Sequence, residues 1–391
     1  MNTYITLVVY PLLLIVLLYG SKTAGKGQFN DEWSSLKQTK MILGFMAICI
    51  VCHHTAQQTS VEWLESGNIV NGLNLFNNTG FLFVSLFFFW SGYGLYKSTV
   101  NKERYLADFF RKRLLPVWLP YVIVCFLFTF VRLYLLYEKM SPLYKITNLT
   151  GITGGYYFGW YVQTILIFYV VFLFAFKYGA YEFDKTAIVW AGVMLWIVAG
   201  LCIDHNIWFL RGEWWYNSVI LFPVGITFAQ FDEVIIDFLK KRYILFTVLS
   251  AVLTLVLFGL FIKMNGEYGY YGEYEDVKTG IKILWRILTL MPQILCAVSF
   301  TLFVVLLSLK ITFNNKILSF LGNHTLDVYL THAFFLEPLA LKYNYSKNSV
   351  FYGKPWLLLL VTICLTIPSA ILLKKLTGIV TNTIKRGSKI K

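Results

Sequence analysis

Apolar runs of about twenty residues recur along the whole chain, and their length constrains everything else. A helix rises 1.5 Å per residue, so ~20 residues cross the ~30 Å hydrocarbon layer of a membrane. Counted in apolar windows, spans are predicted near 3–20, 40–58, 78–97, 115–137, 160–178, 186–203, 216–231, 243–263, 284–309, 325–341 and 356–374, eleven in all. With 58% hydrophobic and only 14% charged residues, the chain lacks the polar surface to wrap soluble domains. The runs also lack the alternation of a transmembrane β-barrel, so the predicted fold is all-α, a polytopic transmembrane helical bundle. No basic segment precedes the first run and no small-residue cleavage site follows Gly20, so that run is expected to remain as a span.

A formal charge of +14 would suit a nucleic-acid partner if the basic residues shared one face, but they sit in short tracts between the runs. No nucleic-acid partner is expected, and the tracts read as topology signals. If the tail with Lys374, Lys375, Lys385, Arg386, Lys389 and Lys391 is cytoplasmic, eleven spans put the N-terminus outside and segments 21–39, 98–114, 179–185, 232–242 and 310–324 inside. Those segments, their edges and the tail hold 23 of the 34 Lys and Arg residues, whereas loop 59–77 on the other side holds none. The expected location is a cell membrane, crossed many times, with membrane lipid as a partner.

The outer segments 267–276 (EYGYYGEYED) and 154–160 (GGYYFGW) combine aromatic rings with carboxylates, which suits either an interfacial aromatic belt or a sugar-binding surface. All six cysteines (Cys49, Cys52, Cys125, Cys202, Cys296, Cys364) lie in apolar runs without metal-ligand spacing. They are expected to be packing residues, and no metal is expected.

In the second run the stretch Ile42–Cys52 leads into His53-His54. An imidazole deep in a span needs a partner or a water-filled cavity, which makes this pair either a functional site or a hydrogen-bonded helix contact. Lys40 lies fourteen residues before His54, ~40° away around the helix axis, so the two share a face, while His53 is ~100° from His54.

The string LGFMAICIVCHH (43–54) resembles the first core helix of the type 3 acyltransferase family, membrane enzymes that acylate carbohydrates. The family pattern is a basic residue, ten others, then histidine. It places His54 at the catalytic position and the basic position on Leu43, a departure that Lys40 could offset from one turn earlier. Residues 84–95 (VSLFFFWSGYGL) resemble the family's aromatic run ending in Ser-Gly, and 109–121 (FFRKRLLPVWLPY) its basic segment before a proline-containing helix. Residues 321–332 (LGNHTLDVYLTH) resemble its late helix closing on Tyr-Leu and histidine, and Gly159-Trp160-Tyr161 matches a Trp-aromatic pair opening a middle span. Each motif is weak alone; their order over residues 40–340 carries the likeness.

The resemblance implies a ten-helix acyltransferase core over 40–375, preceded by an added span and cytoplasmic loop (1–39) and followed by a basic cytoplasmic tail (376–391). It implies transfer of an acyl group, acetyl in the first instance, from cytoplasmic acyl-CoA to a hydroxyl of a cell-surface or exported carbohydrate or glycolipid. His54 would be the general base, since imidazole titrates near working pH, with His53 and Lys40 beside it in the catalytic set. Arg111, Lys112 and Arg113 would meet the donor's phosphates or serve only as topology anchors. His332, ~10 Å into its span behind Asp327 and Tyr329, is expected away from the level of His54, in a CoA-side pocket with Tyr329 or in a structural hydrogen bond. Arg132, Arg286 and Trp160 would face the acceptor or oxyanion, unless the arginines snorkel to headgroups. Ser85, Ser91 and Gly92 are expected to allow close helix packing.

Two other classes compete. A secondary transporter or glycan flippase would also use many spans with buried charges, although no paired Gly/Pro-broken helices stand in corresponding halves. A non-catalytic sensor could retain the fold, and Leu43 favours it. The orientation is testable: a reporter fused after residue 391 should read cytoplasmic and one within 264–280 external, and the reverse would overturn the span count or its direction.

Overall fold

The computed structural model describes residues 2–60, 72–134, 137–153, 157–205, 210–268, 277–345 and 348–387. The fold is helical, as expected, apart from a two-residue antiparallel pair, Lys22–Thr23 with Ile311–Thr312. Among the described residues, seven helices are long and apolar enough to cross a membrane: Leu36–Thr59, Phe110–Tyr134, Trp160–Tyr178, Glu182–Cys202, Tyr243–Glu267, Thr279–Ser308 and Pro355–Thr383. The predicted count of eleven is therefore not reached on length and apolarity. The other four predicted spans also fall on helix. Leu221–Gln230 has only ten residues, ~15 Å of rise, and the first run is divided into Asn2–Leu7 and Val9–Leu18. Gly80–Asn101 and Thr325–Tyr345 are long enough but carry the polar residues that lower their apolarity, Ser91, Tyr93 and Lys97 in one and Asp327, His332 and Glu337 in the other.

The chain divides into two compact units, one made of Met1–Phe83, Leu115–Val162 and Ile311–Lys391, the other of Val84–Leu114 and Gln163–Lys310. In the first, Ser35 caps the helix Leu36–Thr59, its Oγ accepting from the Gln38 N–H at 3.3 Å. The Gln38 amide then pairs with the Phe313 backbone in both directions, donating at 2.9 Å and accepting at 2.8 Å. Those bonds bring the segment after residue 310 alongside the start of the Leu36–Thr59 helix. Asn315 caps the following helix, Lys316–Asn323, which leads through His324 into Thr325–Tyr345.

The crossing of these helices is set by two glycines. A Cβ on Gly44 would lie 2.7 Å from the Leu321 carbonyl carbon and 2.9 Å from the Gly322 Cα, and a Cβ on Gly322 would collide with the Lys40 carbonyl. Only hydrogen at both positions lets the backbones touch. His54 follows Gly44 by ten residues, ~15 Å along one helix, and His332 follows Gly322 by ten, across the turn at His324. The equal spacing brings them to one level.

In the second unit, Gly92 and Gly225 have the same function, since Cβ atoms there would strike the backbones of Phe222 and Phe89. Around them Phe88, Phe168 and Phe222 form a ring-packed core, with Phe168 stacked on Phe222 at 5.6 Å. Ser85 bonds Thr301 at 3.1 Å and Ser91 meets Tyr169 at 3.4 Å. All six cysteines are free; four are buried, while Cys202 and Cys364 are exposed.

Gly44→Val should therefore cost several degrees of thermal midpoint in detergent, because backbone on the facing helix cannot yield and overpacking costs ~1–3 kcal/mol. Gly378→Ala, where a Cβ meets nothing within 4 Å, should leave it unchanged. Equal midpoints for the two variants would contradict the crossing.

Candidate active site

The first unit buries three imidazoles together. His54 Nδ1 and His332 Nε2 are 2.7 Å apart, and the rings lie nearly parallel, 9° apart with centroids at 4.9 Å. His332 Nδ1 stands 2.6 Å from the carbonyl oxygen of Tyr329, one turn earlier on its own helix. A carbonyl can only accept, so the His332 proton is on Nδ1. In the neutral pair this leaves His332 Nε2 as an acceptor, and His54 donates to it from Nδ1. The lone pair of His54 is consequently on Nε2.

The walls around the pair are aromatic. Phe158 meets His54 edge-on at 4.5 Å and His332 at 5.8 Å, and its carbonyl accepts a short hydrogen bond from the Tyr329 hydroxyl. Tyr161 packs edge-on against Tyr329 at 5.7 Å, and Trp160, also buried, packs edge-on against Tyr161. On the other side His53 lies 5.2 Å from His54, ring to ring, with its Nδ1 donating to the Phe76 carbonyl at 2.5 Å. The ring of His53 occupies the space that a Cβ on Gly80 would need. Among the described residues no group of three His, Cys, Asp or Glu is arranged to hold a metal ion.

His332 thus sits at the level of His54, which corrects the expected separation. Counted from Thr325, His332 is ~10 Å into its helix; counted from the Gly44–Gly322 crossing, the two histidines are equally deep. Tyr329 and Trp160 join the same cluster. Lys40 does not, since it lies fourteen residues, ~21 Å, along the helix from His54, with its Nζ donating to Asn323 Oδ1 at 3.1 Å. Lys374 reaches the Asn323 carbonyl, so two ammonium groups meet at the turn between Lys316–Asn323 and Thr325–Tyr345. Arg132 makes a two-pronged pair with Glu138, at 2.6 and 2.5 Å, rather than reaching the imidazoles.

The remaining predicted residues lie in the second unit. Arg111, Lys112 and Arg113 form a π turn, Phe110–Leu114, and point to different partners. Arg113 donates to Tyr105 and, at 3.1 Å, to Ser98. Lys112 lies 3.0 Å from Asp108, and that hydrogen bond holds the Asp108 carboxyl below its usual range. Arg111 is exposed. Arg286 is 2% exposed and donates to the carbonyls of Leu201 and Ile203 at 2.9 and 3.0 Å, closing the C-terminal end of Glu182–Cys202. It satisfies helix carbonyls that would otherwise lack donors, and its Nη2 lies 3.7 Å from Asp204. Residues 269–276 and 154–156 of the aromatic outer segments lie outside the described residues.

Two contributors were missed from sequence. Phe158 stands inside the GGYYFGW segment, whose aromatic character gives no sign that one ring faces a histidine. The Phe76 carbonyl is backbone and has no sequence signal at all.

Helices able to cross a membrane, with a hydrogen-bonded imidazole pair buried between one of them, Leu36–Thr59, and the helix Thr325–Tyr345, define an integral membrane protein with a candidate acid–base site. The profile of the acyltransferase domain matches residues 44–375, and the chain belongs to the acyltransferase 3 family. No curated protein and no solved structure matches it. The matched region begins at Gly44, so it includes all three imidazoles and leaves out Lys40 and the N-terminal helices.

Proposed function

We propose that this membrane acyltransferase is an O-acyltransferase that moves an acyl group, acetyl in the first instance, from cytoplasmic acyl-CoA to a hydroxyl of a cell-surface or exported carbohydrate. The observation that supports this reading is the hydrogen-bonded chain from the Tyr329 carbonyl through His332 to His54. A carbohydrate hydroxyl is a weak nucleophile at neutral pH and needs a base in the transition state, and His54 Nε2 is the basic nitrogen of the pair.

In this mechanism the acceptor oxygen attacks the thioester carbonyl carbon as its proton passes to His54 Nε2. The Nδ1 proton of His54 can shift to His332 Nε2 in the same step, so the positive charge spreads over two imidazoles. Collapse of the tetrahedral intermediate breaks the carbon–sulfur bond, and the CoA thiolate takes the proton back. His332 acts through His54 and is a positioning residue, and Phe158 and Tyr329 hold the two rings parallel. Ser85 and Ser91 bond the hydroxyls of Thr301 and Tyr169, neither of them a base, and this reading uses no covalent route through them.

Trp160 and Arg132 are assigned to the acceptor, Trp160 as a ring face against sugar C–H groups. Arg111, Lys112, Arg113 and Lys40 supply positive charge for the donor's phosphates, with Arg111 and Lys112 exposed. The N-terminus is outside and the C-terminus cytoplasmic in this reading. No observation favours the transporter or flippase alternative.

Purified protein in nanodiscs, supplied with radiolabelled acetyl-CoA and surface glycan, tests the assignment. His54→Ala should lower transfer by about 10²–10⁴-fold, the usual contribution of a general base. His53→Ala should retain a substantial fraction, and His332→Gln should reduce kcat with little change in the KM for acetyl-CoA. Equal losses in His53→Ala and His54→Ala at matched protein levels would remove the assignment.

A further inference from the structure

We infer that the N-terminal helix Val9–Leu18, which precedes the matched acyltransferase domain, positions the acyl-transfer site through Tyr10, Phe76 and His53. The inference rests on the assignment of His54 as the base.

The helix is held in one register by contacts at its C-terminal end. Asn315 Nδ2 donates to the carbonyls of Val16 and Tyr19 at 2.7 and 3.3 Å. Gly20 turns the chain with φ +71°, where a Cβ would lie 2.6 Å from the Asn314 carbonyl oxygen. The next residues pair as a strand, Lys22 opposite Thr312 and Thr23 opposite Ile311. Upstream, Thr6 is fully buried, while Leu12, Leu14, Ile15 and Leu18 are exposed as a lipid-facing helix requires.

That register delivers one ring to the core. Tyr10 stacks on Phe76 with centroids 5.5 Å apart and planes 4° apart. Phe76 closes the short turn Asn74–Phe76, is itself buried, and packs on its other side against Phe83. Its carbonyl accepts from His53 Nδ1 at 2.5 Å and from Thr79 Oγ1 at 3.0 Å. His53, lodged against Gly80, lies beside His54, ring centroids 5.2 Å apart. A continuous series of contacts therefore runs from the N-terminal helix to the base: ring stack, carbonyl, imidazole, imidazole. Loss of the Tyr10 ring frees the Phe76 turn, loosens His53 and lets His54 turn away from the geometry that transfer needs.

The donor site plays no part in this series. The effect should fall on kcat and not on the KM for acyl-CoA, and it should depend on His53. The experiment is a double-mutant cycle on the full chain in nanodiscs with labelled acetyl-CoA, together with thermal midpoints for every variant. Tyr10→Ala should lower kcat about two- to threefold, no more than His53→Ala does, at unchanged midpoint, the lower end of one aromatic pair, while Tyr10→Phe, which keeps the ring, should leave kcat unchanged. In a His53→Ala background, Tyr10→Ala should have no further effect. If Tyr10→Ala does not accumulate, Tyr10→Leu keeps apolar bulk without the ring and should show the same kcat loss.

Equal fractional losses in the two backgrounds, a change confined to KM, or a loss that follows the midpoint would overturn the inference. The His54 assignment is read separately. A fully active His54→Ala would refute that assignment whatever Tyr10 does, whereas an inactive His54→Ala with an additive Tyr10–His53 cycle would refute only the positioning role.

Discussion

An imidazole inside a membrane protein must have a hydrogen-bond partner, and the first unit is organised around meeting that need for His54. The partner is His332, and the helix of His54 touches, through Gly44 and Gly322, the short helix that leads into that of His332, ten residues before each histidine. Leaving a buried polar group without a partner costs ~1–3 kcal/mol, and more in a medium without water. The same bond decides which nitrogen is basic. Tyr329 offers only a carbonyl to His332 Nδ1, His332 offers only Nε2 to His54, and His54 is left with its lone pair on Nε2. Structural necessity and chemical usefulness coincide at one contact.

The second unit meets the same requirement with local partners. Arg286 is spent on the carbonyls of Leu201 and Ile203, Arg113 on Tyr105 and Ser98, and Lys97 on Asp232 at 2.8 Å, with Tyr93 donating to the same carboxylate. These groups lock helix ends and turns. Of the cationic residues that sequence singles out in this unit, Arg111 and Lys112 are exposed. Buried charge in a membrane chain is thus a weak guide to catalysis unless its partners are known.

The helical fold, the family and the depth of His53-His54 were legible because they depend on apolar length and on spacing within one helix. The relation between His54 and His332 depends instead on where two helices cross, and the crossing is marked only by Gly44 and Gly322, which look like any other glycines in sequence. Counting from the polar turn at Thr325 therefore set His332 at the wrong level. The partners of Arg286 were not legible for a similar reason, since its acceptors are backbone carbonyls at the end of Glu182–Cys202. The Tyr10–Phe76 stack joins two segments with no shared periodicity, and Phe76 acts through its carbonyl, which no side-chain pattern can reveal. The count of eleven spans is not confirmed by length and apolarity where Leu221–Gln230 has ten residues and where the site itself puts polar residues into Thr325–Tyr345.

The central claim is that His332 holds His54 with its basic nitrogen at Nε2. Nitrogen-15 spectra of histidine-labelled protein in nanodiscs test it directly, with His54→Gln and His332→Gln samples to assign the signals. Both rings should be protonated at Nδ1 and bare at Nε2, with a coupling across the hydrogen bond from His54 Nδ1 to His332 Nε2. A His54 ring protonated at Nε2 and uncoupled from His332 would contradict the account.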